Sequence, residues 1–574
     1  MSTSNDPADS TATSRGRPAT RWGKWLGLAL VVAFGVALLV MALRASERYY
    51  DQHLVATDGS YFLMSVGLLL QARHDFDTLH VLATPTPLPA ADHSTEVYVL
   101  HNLMAWLLRS VLPMRPSAAV VLNSPWFLAM GASVYWLLWD RTKAWWLSAL
   151  VAAAYLLSNP FLSKLRFGLT SLDPSFHAYM IGSSALAWVL LSRSFRNRAA
   201  SVVAGVFLGL LVLARVYTLG IVVPAMLPFV IRSLWTRSRP ELRASLVGGG
   251  LAIAASLVVC GWWLFPNLAM LRFYPVQYKS AGVLGQRDLA TAAWSWVNHL
   301  AHLVRVNLPV LCVLAALPVG ALLRDRRRLV QRAQWSHVWL IVVPPAILTL
   351  LGTKFEPYGT LALFGVYLTF LFPFEPPSLA ILRHWAFAAA LSAGTAIRAY
   401  STVSSVVDEH DSRGNKKDWR SVAAALEAIR QHAAEASQSR VTVGLIHWGK
   451  IHDASLIDVM IFHAGFRVET PTYPAEPRPG APLIVDTLMV DLWAWDSRLH
   501  GDQALTPERW AQTLTESADY VIVLAADANQ RRRRDRWLPW VQTSRLLLDS
   551  PVFERITGAL PSADGPIVVL ARRR

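Results

Sequence analysis

Cysteine and charge are both scarce in this chain. Only two cysteines, Cys260 and Cys312, occur in 574 residues, and both lie in apolar runs, so the sequence indicates neither a disulfide framework nor a thiolate metal site. Charged residues make up 16% of the chain and hydrophobic residues 53%. A water-soluble globule cannot bury that much apolar surface, so we predict a multi-pass membrane protein.

Phosphate-binding glycine loops and internal repeats are also absent from the sequence. No cytoplasmic stretch is long enough for a nucleotide-binding domain, which disfavours an enzyme that uses a soluble nucleotide sugar. The net charge of +16 reflects Arg and Lys in short loops between apolar runs, a pattern that sets membrane orientation. We therefore expect membrane lipids as partners, and no nucleic acid.

Composition divides the chain into three regions. Residues 1–21 are rich in Ser, Thr, Asp and Pro and are predicted to form a disordered cytoplasmic tail. Residues 22–399 hold the apolar runs and a long outer loop at 44–96, which predicts a polytopic α-helical membrane domain. Residues 400–574 have the composition of a soluble, extracytoplasmic α/β domain. Its predicted strands are 441–447, 520–525 and 567–570.

Basic residues before the first apolar run place the N-terminus in the cytoplasm. About eleven crossings of a ~30 Å hydrocarbon core then leave the C-terminal domain outside. The segments 97–112, 118–139 and 144–157 cannot all span, because the loops before and after them would then face opposite sides. Arg141 and Lys143 favour 97–112 as the segment that lies at the interface.

The outer loop carries the sequence Thr57-Asp58-Gly59-Ser60-Tyr61 between two apolar segments. One interpretation is a turn and helix cap, with Asp58 solvated. The other is a catalytic carboxylate held at the boundary of water and lipid, because long loops in compact proteins are usually functional.

Arg215 lies at the predicted outer tip of a short hairpin within residues 199–231. An arginine at that depth either extends to the interface or binds an anion. The predicted topology places further polar residues on the same side, near the ends of apolar runs. Asp58 and Asp173 are the candidate catalytic carboxylates there, and the candidate substrate-binding residues are Tyr61, Glu96, Arg215, Arg272, Tyr274, Lys279, Lys354 and Tyr358.

Carboxylates together with cations suit a reaction in which an acceptor loses a proton while a phosphate leaving group is stabilised. The arginine runs 531–534 and 572–574 of the C-terminal region are either further phosphate contacts or solvated surface.

Four motifs, in order and spacing, resemble the GT-C superfamily of integral-membrane glycosyltransferases. They are Thr57–Tyr61, Ser171-Leu172-Asp173-Pro174, Arg215 in its hairpin, and Lys354-Phe355-Glu356-Pro357-Tyr358. The likeness covers about residues 22–400 and is to family 39-like enzymes, which are related to protein O-mannosyltransferases and the lipid A aminoarabinose transferase. It implies Asp58 as the catalytic carboxylate with Asp173 nearby. Gly59 stands where the family often has a second acidic residue.

The resemblance implies an inverting glycosyltransferase of a bacterial cytoplasmic membrane, which takes a sugar from a polyprenyl-phosphate lipid and passes it to an unidentified glycan, lipid or protein acceptor at the outer face. No metal or other cofactor is required by these residues. Two alternatives stay open. A transporter predicts charges in mid-helix or inverted repeats, and a polysaccharide polymerase or ligase predicts an Arg- and His-bearing outer loop, which residues 266–302 partly match.

Overall fold

The computed structural model describes most of the helical runs and the C-terminal sheet. The described residues are 19–50, 66–70, 99–158, 175–235, 238–271, 294, 297–298, 300–301, 304–305, 307–324, 335–350, 360–371, 385–412, 416–445, 453–469, 483–488, 505–525, 538–561 and 566–574.

Twelve named helices precede the C-terminal domain within this part of the chain. They are α1 (Ala19–Tyr50), α2 (Val99–Leu108), α3 (Ser117–Thr142), α4 (Trp145–Leu156), α5 (Ser175–Leu191), α6 (Arg198–Arg215), α7 (Leu219–Trp235), α8 (Arg239–Leu271), α9 (Leu308–Arg324), α10 (Trp335–Leu350), α11 (Thr360–Leu371) and α12 (Trp385–Ser412). Of these, α1, α3, α6 and α8 are long and apolar enough to cross a membrane. The chain is a multi-pass membrane protein, and the count of about eleven crossings stays a prediction.

Contacts between α1, α3 and α5 establish the direction of each helix. The Tyr135 hydroxyl of α3 donates to the Lys24 carbonyl at 2.6 Å, and Ser117 Oγ donates to Glu47 Oε1 at 3.4 Å, so α1 and α3 are antiparallel. Trp188 Nε1 of α5 donates to Ser133 Oγ at 3.0 Å. Since the starts of α5 and α3 are also in contact, these two helices are parallel. We name the two ends of the bundle the Lys24 end and the Glu47 end.

Helix α2 lies at the Glu47 end and does not cross the bundle. Its 10 residues extend about 15 Å, half of a ~30 Å core. Ala105 of α2 packs with Ala118 and Leu122, which are in the first turns of α3. This arrangement agrees with the prediction that segment 97–112 lies at the interface.

Helices α6 and α8 pack closely through small residues. A Cβ at Gly205 of α6 would overlap the Ala252 carbonyl of α8, and a Cβ at Gly209 would lie 2.7 Å from the Ser256 carbonyl oxygen. Gly205 and Gly209 thus form the small-xxx-small pattern that lets membrane helices approach each other. Sequence numbers rise together along this contact, so the two helices are parallel.

A buried arginine of α12, the last helix of the bundle, caps the C-terminal end of α4. Arg398 of α12 is only 2% exposed, and its Nη2 donates to the carbonyl of Leu157, the C-cap residue of α4, at 2.9 Å. Thr402 Oγ1 donates to the same oxygen at 3.3 Å. Helix C-termini leave carbonyls unpaired, and these two donors satisfy one of them inside the bundle.

The C-terminal region forms a six-stranded sheet with helices packed against it. The strand order is β2-β3-β1-β4-β6-β5. Strands β2, β3, β1 and β4 are parallel to one another, β6 is antiparallel to β4, and β5 is antiparallel to β6. The elements are α13 (Lys416–Glu435), β1 (Arg440–Leu445), α14 (Asp453–Phe462), β2 (Arg467–Glu469), β3 (Ile484–Leu488), α15 (Pro507–Ser517), β4 (Tyr520–Leu524), α16 (Leu538–Leu548), β5 (Phe553–Arg555) and β6 (Ile567–Arg572).

The structure adds to the sequence-based description of this region at two points, the domain boundary and the arginines at residues 572–574. Helix α12 continues to Ser412, so the boundary placed at residue 400 lies within a helix. The arginines at the chain end bind backbone carbonyls: Arg572 donates to Thr515 and Ala518, and Arg574 donates to Ala436. These contacts tie the last strand to the residues that end α15 and follow α13, which is a structural use of these charges.

Candidate active site

Most of the predicted site residues lie outside the described residues. This holds for both predicted catalytic carboxylates and for all the predicted substrate-binding residues except Arg215. The residues concerned are Asp58, Tyr61, Glu96, Asp173, Arg272, Tyr274, Lys279, Lys354 and Tyr358. Their roles therefore stay predictions.

Arg215 is the last residue of α6, at the Glu47 end of the bundle. A 3₁₀ turn follows at Val216–Thr218. The chain then returns through α7, because Glu241 at the start of α8 pairs with Arg196 just before α6 at 2.9 Å. The predicted hairpin with Arg215 near its tip is thus confirmed.

A cluster of four polar side chains, three of them buried, lies close to this tip. His101 of α2 and His177 of α5 are 1% and 0% exposed, and their ring centroids are 5.2 Å apart. The His177 Nε2 group is hydrogen-bonded to Oδ1 of the buried Asn123, and Trp126 lies 6.4 Å from the His177 ring. We call these four residues the histidine cluster.

Asn123 assigns the tautomer of His177. An amide oxygen can only accept, so Nε2 carries a proton, and in the neutral ring Nδ1 then keeps its lone pair. No hydrogen-bond partner for this Nδ1 occurs among the described residues. A buried ring with an accepting nitrogen can receive a proton or bind a donor group on a substrate.

Three helices meet around the histidine cluster: two follow predicted site residues in the sequence, and the third ends at one. In the sequence, Glu96 closely precedes α2, Asp173 closely precedes α5, and Arg215 ends α6. Helix α2 packs against α6, and the 3₁₀ turn after Arg215 contacts α5. The fold therefore gathers the starts of two helices and the end of a third at one end of the bundle.

The histidine cluster is absent from the sequence-based prediction. His101, Asn123 and His177 each lie in the first turns of an apolar helix, and two of these helices follow a predicted carboxylate. Polar residues inside membrane helices are costly and usually functional, so their position was an available signal. What the sequence does not reveal is that these three side chains, far apart in the chain, come together.

No group of three or more His, Cys, Asp or Glu residues arranged to hold a metal occurs within the described ranges. Asp58, Glu96 and Asp173 lie outside these ranges.

No protein-family description matches this chain, and no curated protein sequence matches it. Similar solved structures include the arabinofuranosyltransferase AftD from mycobacteria, at 14% identity and TM-score 0.45 over 96% of this chain and 41% of that one. ArnT from Cupriavidus metallidurans in the apo state is 13% identical, with TM-score 0.44 over 96% of this chain and 98% of its own. ArnT bound to undecaprenyl phosphate is 12% identical, with TM-score 0.42 over 93% and 97%.

Both neighbours are GT-C membrane glycosyltransferases, the superfamily that the sequence resembles. This chain spans less than half the length of AftD.

Proposed function

We propose that this protein is an inverting membrane glycosyltransferase that moves a sugar from a polyprenyl-phosphate donor to an acceptor at the outer face of the cytoplasmic membrane. The Glu47 end is then the outer end. The observation that carries the proposal is the meeting of α2, α5 and the end of α6 around buried polar groups, since two of these segments follow predicted carboxylates and the third ends in Arg215.

In the proposed reaction, the Asp58 carboxylate takes the proton of an acceptor hydroxyl or amine as that atom attacks the anomeric carbon. A new bond forms to the sugar, the bond to the lipid phosphate breaks, and the phosphate leaves with the electron pair. Arg215 and Lys354 stabilise the charge on the departing phosphate, and Asp173 orients the acceptor. The histidine cluster supplies a buried hydrogen-bond acceptor beside this site.

Arg398 is the one described residue that matches the transporter alternative, because it is a buried charge within a long helix. Its guanidinium donates to the α4 C-cap carbonyl, however, and Thr402 shares that oxygen. Arg398 therefore caps a helix, and this role does not require a transported substrate.

The first test is sugar transfer by purified protein in liposomes that contain polyprenyl-phosphate sugars. We expect Asp58→Asn to lower kcat by about a hundredfold or more, as for a lost general base. The matched control is Asp140→Asn, because Asp140 lies at the Lys24 end and pairs there with Lys143. Equal activity of the two variants would remove Asp58 from the mechanism.

A further inference from the structure

Residues 66–70 are the described part of the outer loop; they are helical and buried, and we call them the loop turn. Val66, Leu69 and Leu70 are at most 2% exposed and pack with Ala105 of α2 and with α3. Leu68 is 3% exposed but belongs to a different cluster, the core of the C-terminal domain. One turn of helix thus contacts two separate cores.

The contact with the C-terminal domain is made by the end of α14. A Cβ at Gly67 would lie 3.1 Å from Ile461 Cδ1 and 3.1 Å from the Phe462 ring, a spacing tighter than most side chains accept. Phe462 also packs against the cluster formed by Leu69 and Ala105. The Phe462 ring therefore bridges the C-terminal domain, the loop turn and the membrane helices.

Residues 66–70 are buried between the membrane helices and the core of the C-terminal domain, so both contribute to holding this part of the loop. Asp58 belongs to the same loop and shortly precedes the turn in the sequence. Whatever holds residues 66–70 therefore restrains the chain that carries the predicted base.

We propose that the C-terminal domain acts as a clamp that positions the Asp58 loop, through Phe462 and Ile461 docked on Gly67 and Leu68. Gly67 and Phe462 are positioning residues in this scheme. The catalytic consequence rests on the proposed function, whereas the docking itself does not. The domain then has a role in assembling the site, in addition to any role in selecting the acceptor.

The first test is a disulfide between the two partners, in a Cys312→Ser background that removes the exposed native thiol. We expect the Gly67→Cys/Phe462→Cys pair to give a disulfide-linked peptide on mild oxidation in membranes. The control pair Gly249→Cys/Phe462→Cys should not, since Gly249 lies on α8 with open space around it. Failure of the first pair to cross-link in folded protein would overturn the docking.

The second test uses Gly67→Leu, which forces a side chain into the space of Phe462. We expect a several-fold faster reaction of an added Ser60→Cys thiol with a membrane-impermeant maleimide, while the C-terminal domain stays resistant to protease. Gly249→Leu is the matched control and should leave the labelling rate unchanged. An unchanged rate in the folded Gly67→Leu protein would refute the clamp, whether or not the protein transfers sugar.

The third test is kinetic and separates positioning from folding. We expect Gly67→Leu to lower kcat at least tenfold with little change in the donor KM, and Gly67→Leu/Phe462→Ala to recover much of the loss because the smaller side chain restores space. The oxidised Gly67→Cys/Phe462→Cys protein should retain activity. Full activity of the folded single variant would show that the clamp is not needed, whereas inactivity of wild type would contradict the proposed function alone.

Discussion

The membrane bundle and the C-terminal sheet domain place their apolar side chains in opposite ways. Large apolar residues are exposed along α1, α7 and α8, with Val258 at 81% and Ile253 at 63%. In the described part of residues 416–574, Leu546 at 42% is the single residue of this kind. The difference is the one expected if lipid surrounds the bundle and water surrounds the sheet domain.

Arginine is used differently in the two regions. Arg398 in the bundle is buried and donates to a backbone carbonyl. Arg440 in the sheet domain is half exposed and forms a two-pronged ion pair with Asp486, at 2.9 and 3.2 Å. Within lipid the guanidinium serves to satisfy the backbone, whereas in water it makes an exchangeable surface pair.

The largest expected effect comes from placing a charge on each surface. Val258→Asp on α8 should lower the stability of the inserted protein by about 3 kcal/mol, the cost of a carboxylate facing hydrocarbon. The fraction of protein that inserts should fall as well. Leu546→Asp should change stability by less than about 0.5 kcal/mol, as an ordinary surface substitution. Thermal unfolding and the membrane-inserted fraction of each variant measure this. Similar losses of stability in the two variants would contradict the expectation that lipid surrounds α8 and water surrounds α16.

Helix packing in the bundle gives the next largest effect. Gly205→Ala should cost about 2 kcal/mol, because the added methyl group meets the α8 backbone and forces the helices apart. Gly249→Ala adds the same group where nothing lies within 4 Å and should be neutral or slightly stabilising. Unfolding in detergent compares the two. Equal stability would mean that α6 and α8 do not depend on this approach.

Arg398→Met should cost about 1.5 kcal/mol, because it removes a charge-assisted hydrogen bond and leaves the Leu157 carbonyl with Thr402 alone. Arg398→Lys should recover part of the loss. Arg440→Met, which breaks the exposed pair, should cost less than about 1 kcal/mol. Chemical unfolding in nanodiscs distinguishes these values, and the reverse order would contradict the contrast between the two arginines.

The smallest effect concerns Tyr520 in β4, whose hydroxyl donates to Gln438 Oε1 at 2.9 Å and lies 2.9 Å from His432 Nδ1. Burial raises the pKa of Tyr520, so the native state keeps the phenol proton after the unfolded chain loses it near pH 10. The unfolded state then binds fewer protons, and stability falls as the pH rises above about 10.

Tyr520→Phe should therefore cost about 1 kcal/mol at neutral pH through the lost hydrogen bonds and should flatten the decline above pH 10. Stability measured against pH for both proteins tests this. A decline of the same slope in the variant would assign the pH dependence to another group.

Local patterns in the sequence determined much of this protein. Hydrophobic length predicted the apolar helices and the hairpin with Arg215 near its tip, because transfer of apolar residues into lipid depends mainly on composition along the chain. Length alone left two candidates for the segment that does not span, and Arg141 and Lys143 favoured 97–112, whose helix α2 does not cross the bundle. Alternation of Val- and Ile-rich stretches with helices likewise predicted β1, β4 and β6. Strands β2 and β5 were missed because they have three residues each, and β3 was missed because the polar Asp486 and Thr487 interrupt its apolar run.

Only the tertiary structure decided which distant residues meet. His177 with Asn123, Arg398 with the Leu157 carbonyl, and Gly67 with Phe462 are each far apart in the chain. Composition and periodicity show that a polar group must be satisfied or an apolar turn buried, but they do not name its partner. That choice follows from the packing of whole helices and domains, which selects one set of contacts among many that the same residues allow.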